Sequence, residues 1–493
     1  MLGLLHRTAA NLKNPSTPTT WSPTDPLPSG FSQRSFRFSL PVSSLAAFTF
    51  RSAGQYARGS IVFERAAGPQ PPEYGEAVPV EGGDDGKERT EGLVEIAVEA
   101  RTNSDGLLGE CKLDPIEGHE RCGLSLSTPS STGVSRIGAT LSYHITVTFP
   151  ATLAALNSLT VEAASFRISL EPSLSSTLIS SLDLSTTDAP ISLGSTRAQQ
   201  VKLTNKNWLD SNRVALKNFD DLVSGSIADA ERIEITCADG SVSGSYTSSG
   251  PIIVQTTNAA VHADLRGSSL RVSTSGGDVT GMYIATKDVA LSTSYAKADV
   301  DVEAPLGCQV SGTNVAIDSR FKVGKELRLI TSHFRIDASV WLLPPPVPGT
   351  PALSITDAPP TFEEATSSPS LGASNTVLVQ AETTGAAIQL DYLEHPDGLV
   401  LQSLARSTGG GAVQVVHPET FEGSFLASTS LTHTAQFTTP AVFPTAARKR
   451  AVHFDVEKRS EVAGTVRWEG GSVGGGRSRT VIEAEGTAEI KVL

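Results

Sequence analysis

Four aspartates in the middle of the chain have the residue type and spacing that carbohydrate chemistry would need. Asp278, Asp288, Asp299 and Asp301 fall on neighbouring strand-like segments, and glycoside hydrolysis requires an acid and a second carboxylate about 5 to 9.5 Å apart. Asp278 follows a Gly-Gly turn, however, and Asp299 and Asp301 alternate with apolar residues, as the outward positions of a strand do. We therefore expect surface carboxylates, and a polysaccharide lyase or glycoside hydrolase is the alternative hypothesis.

Other motifs for catalysis or metal binding are incomplete in this sequence. The nine histidines are scattered without an HExxH pair, and His262 and His333 are predicted to be outward-facing polar residues of strands. The stretch GGSVGGG (470–476) has the wrong offsets for a serine nucleophile elbow. The glycines at 409–411 precede a strand, whereas a phosphate-binding loop precedes a helix. We predict no catalytic, cofactor-binding or metal site.

The composition favours strands and an acidic surface. Of the 493 residues 39% are hydrophobic and only 18% are charged, with 43 glycines and two methionines, a mixture that suits strands and turns. The net charge of -13 argues against nonspecific nucleic-acid binding, which relies on neutralising phosphates. One basic cluster, Arg448 to Arg450 followed by Lys458 and Arg459, is either a localisation signal, an anion-binding patch or, as we expect, a solvated loop between strands.

Cysteine usage and the first residues bear on the compartment. Cys111, Cys122, Cys237 and Cys308 are too few for a disulfide framework and are expected to be reduced, although Cys111 and Cys122 could pair across a hairpin in an exported protein. The first apolar run ends after Leu5, short of a signal-peptide core, and no run approaches the ~18 apolar residues of a membrane span. The compartment is left open, with a soluble intracellular protein as the default expectation.

A strand pattern repeats between residues 181 and 302, the part of the chain that contains the four aspartates. Each unit has aliphatic residues at alternate positions, and the threonines that end the first strand of four units recur at intervals of about 19 residues: Thr236, Thr256, Thr274 and Thr293. One such unit cannot bury its apolar row alone and must lie on a neighbour. We therefore predict stacked coils in which Val272 lies between Val254 and Leu291.

The same pattern divides the chain into five regions. They are a disordered N-terminal segment (1–34), an N-terminal β-region (35–150) with an acidic loop (66–90), β-solenoid repeats (151–342) with an insertion (205–230), a Pro-rich loop (343–374) and a C-terminal β-region (375–493). The insertion could contain one short helix near residues 213–222. Whether the last region continues the winding or forms a separate sandwich is left open.

Three short units share one pattern, in which a strand is followed by Thr with Ser or Thr and then by a second strand: TTDAPI (186–191), TTNAAV (256–261) and TSHFRI (331–336). Four further segments also match a known family: GLSLSTPS (123–130), VHPETFEGSFLAST (416–429), ARKRAVHF (447–454) and GTVRWEG (464–470). From about residue 35 onward the chain thereby resembles a family of uncharacterised, mostly fungal proteins with a putative-adhesin-type β-solenoid domain of unknown function. The insertion and the Pro-rich stretch depart from that pattern. The resemblance implies a surface or interaction module without known chemistry.

The predicted fold class is all-β, with a parallel β-solenoid or β-helix-like repeat, flanking β-strand caps and a disordered N-terminus. The predicted function is a nonenzymatic interaction protein or adhesin-like structural protein, which offers its long faces or its Thr/Ser-rich turns to a protein or glycan partner. Neither nucleic acid nor a membrane span is expected. The alternatives are the polysaccharide-active enzyme and a scaffold that self-associates through its coil ends.

Overall fold

The structure is a computed structural model of a chain built from strands. It describes residues 26–41, 47–54, 56–67, 92–118, 121–129, 139–187, 189–205, 223–238, 240–344, 375–396, 398–430, 432–439, 450–468 and 478–493. Within these ranges helical structure is confined to a short α-helix, α1 (Asp105–Gly109), and a 3-10 helix (Pro172–Ser176). The all-β prediction is confirmed.

Thirty-two strands account for most of the described residues, and most show the alternation of buried and exposed side chains typical of a sheet with one wet face. The N-terminal strands are β1 (Ser32–Pro41), β2 (Ala47–Ala53), β3 (Arg58–Arg65), β4 (Leu93–Thr102), β5 (Lys112–Gly118), β6 (Arg121–Ser127), β7 (Leu141–Phe149), β8 (Ala155–Ala163) and β9 (Ser165–Leu170). The central strands are β10 (Leu178–Thr186), β11 (Ile191–Asn205), β12 (Val223–Ala230), β13 (Arg232–Cys237), β14 (Val242–Ser248), β15 (Ile252–Thr256), β16 (Val261–Thr274), β17 (Val279–Ser294), β18 (Lys297–Ala304), β19 (Gly307–Thr313), β20 (Ala316–Val323), β21 (Glu326–Thr331) and β22 (Ile336–Leu342). The C-terminal strands are β23 (Thr376–Thr383), β24 (Ile388–Glu394), β25 (Val400–Ser407), β26 (Val413–His417), β27 (Gly423–Thr429), β28 (Ala435–Thr438), β29 (Arg450–Lys458), β30 (Glu461–Trp468), β31 (Ser478–Ala484) and β32 (Ala488–Val492).

The strands pair side by side in two long series. The first series runs β5-β6-β2-β8-β10-β11-β13-β15-β16-β17-β19-β21-β23-β25-β31-β27-β30-β29. The second series runs β1-β4-β7-β3-β9-β11-β12-β14-β16-β17-β18-β20-β22-β24-β26-β32-β28. Between β19 and β26 the chain visits the two series alternately.

Three long strands belong to both series. The first half of β11, β16 and β17 pairs in the second series and the second half in the first, and a register shift between Gly267 and Ser269 marks the change in the β16–β17 pair. Because β11 and β16 each join both series, six strands (β11, β12, β14, β16, β15 and β13) close into a parallel barrel.

The core consists of inward rows that lie in register from strand to strand. Val254 pairs with Val272 and Val272 with Leu291, as predicted, and the row continues through Val310 and Leu329. All five side chains are buried. The parallel pairing also continues beyond the Pro-rich stretch, since β21 pairs with β23 and β22 with β24.

Antiparallel strands flank the first series at both ends and the second series at its N-terminal end. At the N-terminal end β5 pairs with β6, and β4 pairs with both β1 and β7, in antiparallel fashion. At the C-terminal end β30 is antiparallel to β27 and β29. Of the end strands, β1 carries two arginines and β29 ends in a lysine, and such charged residues discourage edge-to-edge pairing with another molecule.

Several predicted features fall on residues outside the described ranges. They are residues 1–25, 68–90 of the acidic loop, 206–222 with the predicted helix, 345–374 of the Pro-rich loop, 441–449 with two of the basic residues, and the glycine-rich 470–476. The final eight residues of the predicted insertion are described and form β12. The four cysteines all lie in the described ranges and form no disulfide there, and Cys122 lies opposite Glu117 in the β5–β6 hairpin.

The in-register core generates a prediction about stability. Leu291→Ala should lower the free energy of unfolding by about 2 to 5 kcal/mol, because it removes a buried side chain between two others. The control Leu378→Ala alters a side chain that is 38% exposed in the same series and should change stability by only about 0.5 kcal/mol. Urea unfolding followed by circular dichroism measures both, and equal losses would contradict the arrangement of the core.

Candidate functional site

A column of polar residues lines one corner of the interior, where the first-series strands end. The register brings together Thr186, Asn205, Cys237, Thr256, Thr274, Thr293, Gly312, Thr331, Thr383 and Ser407. The threonines and the serine of this column are buried. The corner column is thus an internal feature of the fold.

Hydroxyls of the corner column bond to carbonyl oxygens of the turns. Thr256 and Thr274 both donate to the Ala259 oxygen (2.9 and 2.8 Å), and Thr331 donates to the Val315 oxygen (2.7 Å). Buried carbonyls need such partners, so these threonines hold the turns. The prediction that Thr/Ser-rich turns meet a partner is therefore wrong for the column threonines and stays open for the exposed residues that follow them, such as Thr257.

The predicted alignment of Thr236 with Thr256 is wrong by one residue. Thr236 lies opposite Gln255, and Cys237 lies opposite Thr256. Cys237 is buried, whereas Thr236 is only half-buried. Side chains alternate between the two faces of a strand, so the inward position that Thr occupies in neighbouring units is taken by Cys237 here.

The four aspartates singled out from the sequence do not form one site. The Asp278 carboxylate accepts a hydrogen bond from the backbone N–H of Lys297 (2.8 Å). Asp288 is exposed on the first series opposite Gly307, whereas Asp299 and Asp301 lie on the outer face of β18 in the second series. Only the last two come together, as the alternation of β18 predicts.

Asp299 and Asp301 each have a cationic partner. Lys297 Nζ lies 2.7 Å from Asp299 and 3.2 Å from Asp318. Arg320 binds Asp301 through two nitrogens, at 2.6 and 2.9 Å. The arrangement is a surface ion-pair network across adjacent strands, and its carboxylates are engaged by cations instead of facing each other as an acid and a nucleophile.

A shallow depression of about 280 Å³ lies on this outer face. Its apolar parts are Met282 and Ile284 of β17 at one side and Trp341 of β22 at the other, with the pairs Asp301–Arg320 and Glu303–Lys322 between them. We call these seven residues the Trp341 surface. Ile284, Glu303, Lys322 and Trp341 occupy one register row, so the apolar ends are about 14 Å apart at the usual strand spacing.

The Trp341 surface was not singled out from the sequence. Its longest row, from Ile284 through Glu303 and Lys322 to Trp341, advances by the same 19 residues that separate Asp301 from its partner Arg320. Extending the predicted repeat to the outward positions would have placed these residues side by side. Met282 is 41% exposed, and large apolar side chains in such positions are typical of interaction sites when they cluster.

A second polar cluster lies in the interior near the C-terminal end. The imidazole of His417 stacks between Tyr392 and Phe421, with ring centroids 4.9 and 4.0 Å away, and its Nε2 bonds to the Thr480 hydroxyl at 2.9 Å. Its Nδ1 has no hydrogen-bond partner among the described residues. Burial, and to a lesser degree the nearby His395, lowers the pKa of His417 to about 3. A buried, neutral imidazole between two rings supports packing here.

Two exposed histidines lie apart from these clusters. His262 on β16 contacts the Thr280 hydroxyl through Nδ1 at 2.7 Å and is exposed, as predicted. His333 is also exposed, but it lies in the bend between β21 and β22 and not in a strand. Among the residues that the structure describes, no three His, Cys, Asp or Glu side chains group as metal ligands. The described helices are too short or too polar to cross a membrane.

Comparisons with known proteins give little further guidance. No family model matches the chain, and no curated protein matches it either. One solved structure is described as a "putative cell adhesion protein from Clostridium sporogenes ATCC 15579"; it is 7% identical, with 94% of this chain and 100% of that chain covered and a TM-score of 0.14. That score is too low to support a fold or a function. Membership of the adhesin-type family stays a prediction.

The corner column generates a prediction for Thr331. Thr331→Val keeps the side-chain shape but leaves the Val315 carbonyl oxygen without its donor, which should cost about 1 to 3 kcal/mol of unfolding free energy. Thr313→Val changes an exposed threonine of β19 and should cost less than ~0.5 kcal/mol. Urea titrations of the two variants test this, and an unaffected Thr331→Val protein would show that the column does not hold the turns.

The buried His417 makes stability depend on pH. Its pKa is lower in the folded state, about 3, than in the unfolded chain, about 6.5. The unfolded chain therefore gains a proton first as the pH falls below 6.5, and this group removes about 1.4 kcal/mol of stability per pH unit down to about 3.

Unfolding free energies at pH 7.5 and 5 measure this effect. His417→Phe keeps a ring in the stack and should lose about 2 kcal/mol less than the wild-type chain over that interval. Identical pH dependence in the two proteins would mean that His417 is not the group responsible.

Proposed function

We propose that this protein is a β-solenoid and acts as a nonenzymatic, adhesin-like interaction module. The proposal is supported by parallel strands that follow each other in register and by inward rows that advance by a regular step in sequence from strand to strand. A fold of this type grows by adding coils, and its extensive surfaces are the two outer faces. A partner can bind to one of these outer faces without any change in the packing of the core.

The Trp341 surface is the proposed contact region. Trp, Met and Arg are enriched in protein interfaces, and Trp341, Met282 and Arg320 lie within the span of four adjacent strands. The Arg320 and Asp301 side chains are 65% and 43% exposed, and exposed ion pairs contribute only about 0 to 1 kcal/mol. A partner can therefore replace these ion pairs with its own hydrogen bonds at little cost to stability.

The chemistry of the Trp341 surface suits a partner with both flat apolar patches and hydrogen-bonding groups. The indole of Trp341 provides a flat apolar face, and the carboxylates and guanidinium beside it accept and donate several hydrogen bonds. A glycan or an extended protein segment has this mixed character. Nucleic acid is a poor fit, because the cations beside Trp341 already bind carboxylates: Arg320 binds Asp301 and Lys322 binds Glu303.

Binding, and not catalysis, is proposed for this face for a geometric reason. Asp299 and Asp301 are held by Lys297 and Arg320, and Trp341 is the one aromatic residue among the residues that line the depression. Polysaccharide cleavage requires an acid and a second carboxylate available to the substrate. Incubation with a polysaccharide panel tests the alternative, since turnover that is lost in Asp301→Asn would establish an enzyme.

The binding proposal predicts a loss of affinity in Trp341→Ala. Purified protein is applied to a glycan array and to an array of purified extracellular and intracellular proteins, and the affinity for any ligand found is then measured by calorimetry. Loss of the one aromatic contact of this surface should weaken binding about 30-fold, equivalent to about 2 kcal/mol. The matched control Leu378→Ala removes an exposed apolar side chain from the first series and should leave affinity unchanged.

Two outcomes would contradict the proposal. One is binding that Trp341→Ala and Leu378→Ala reduce equally, which would place the contact elsewhere. The other is a folded protein that binds neither class of ligand on the two arrays. Circular dichroism of each variant confirms that the altered protein is still folded.

A further inference from the structure

The last two strands of the chain lie between strands that precede them in sequence. β31 pairs in parallel with β25 on one side and with β27 on the other. β32 pairs in the same way with β26 and β28. The segment 478–493 therefore fills a slot between two earlier pairs of strands. Elsewhere in the middle of the chain, from β17 to β26, each new strand lies beyond its predecessor in the series.

The slot contacts its occupant through specific side chains on both faces. Inside, Ser478 Oγ accepts a hydrogen bond from the Leu401 N–H at 3.0 Å, and Thr480 bonds to His417. Outside, Arg406 binds Glu483 at 2.6 Å and Gln414 donates to Glu489 at 2.6 Å. Ile482 and Ile490 are fully buried. The slot is complementary to this sequence in this register, so the partner that fits it best is another copy of the same segment.

Filling the slot depends on contacts that are distant in sequence. Arg406 and Glu483 are separated by 77 residues, whereas Asp301 and Arg320, on paired strands in the middle of the chain, are 19 residues apart. Pairings between distant segments form late, because loop closure costs entropy before any contact is gained. Until 478–493 arrives, the facing edges of β25–β26 and β27–β28 are unpaired, and unpaired edges accept strands from other molecules.

We propose that this slot is a strand-acceptor site and that its partner is the segment 478–493 of a second copy of this chain, so that two copies exchange β31 and β32 reciprocally. Exchange of identical elements is a low-cost route to a dimer, since every contact of the monomer is re-formed between the copies. The stretch that joins Trp468 to Ser478 is nine residues long and includes five glycines. The inference does not depend on the Trp341 surface.

Two cysteine variants of the full-length chain with different tags test the exchange. Gln402 and Arg479 are exposed and directly opposite each other in the β25–β31 pair. Gln402→Cys and Arg479→Cys chains are unfolded in urea, mixed, refolded together and oxidised. A disulfide between the two tagged chains forms at this position only when β31 of one copy lies beside β25 of the other. We expect a heterodimer band on nonreducing gels that increases with protein concentration during refolding.

Two controls separate exchange from random collision of exposed thiols. The first pair, Leu378→Cys and Gln402→Cys, lies at opposed, exposed positions of β23 and β25, where no inserted segment intervenes, and should give no heterodimer. The second mixes the Gln402→Cys and Arg479→Cys proteins after each has folded. Equal heterodimer yields in all three mixtures, or none in any, would overturn the proposal. Light scattering of the refolded wild-type chain provides a measurement without substitutions, and a purely monomeric mass at high concentration would also overturn it.

Discussion

The structure depends on one constraint, the in-register stacking of inward rows across parallel strands. Because side chains alternate between two faces, a slip of one residue would turn an entire row from the core to solvent. Rows such as Val254, Val272 and Leu291 fix the alternation through burial. The corner column adds a second check, since Thr256 and Thr331 must each meet a carbonyl oxygen of a turn. Burial of the apolar rows and hydrogen bonding of the corner threonines thus favour the same register of the paired strands.

These two signals decide what the sequence alone could predict. Alternation together with a regular repeat of the strand pattern was enough to place Val272 between its neighbours and to identify an all-β chain. The repeat predicted the wrong partner for Thr236, because a threonine next to a buried cysteine looks the same as the corner residue of a neighbouring unit. Cys237 is the inward residue. Choosing the residue that preserves alternation with Ile233 and Ile235 would have resolved the case.

Outward positions recur with the same period as inward ones, but they can hold residues of any type. The sequence pattern therefore did not reveal the Trp341 surface. Each strand adds one residue to a row, so side chains one repeat apart in sequence become neighbours about 4.8 Å apart. Ile284, Glu303, Lys322 and Trp341 are related in this way. The four aspartates were candidates because carboxylates can catalyse glycoside cleavage. Asp301 instead belongs to a surface whose residues, including Arg320, are neighbours because they lie opposite each other on adjacent strands. In a repeat of this kind, residues that are one repeat apart in sequence are neighbours in space. A site on an outer face therefore consists of residues from the same or adjacent rows.

The insertion of β31 and β32 has no local signature, because a strand of suitable alternation fits beside many others. β2 and β3 lie in similar slots at the other end, between β6–β7 and β8–β9. Both ends are therefore built from strands out of sequence order, and antiparallel strands flank them except at β28, which pairs in parallel with β32 at the end of the second series. Simple end-to-end stacking of molecules would require exposed parallel edges, and among the described strands the antiparallel pairs leave such an edge only at β28. The proposed exchange of β31 and β32 differs from stacking of this kind, because it re-forms contacts that the monomer already makes.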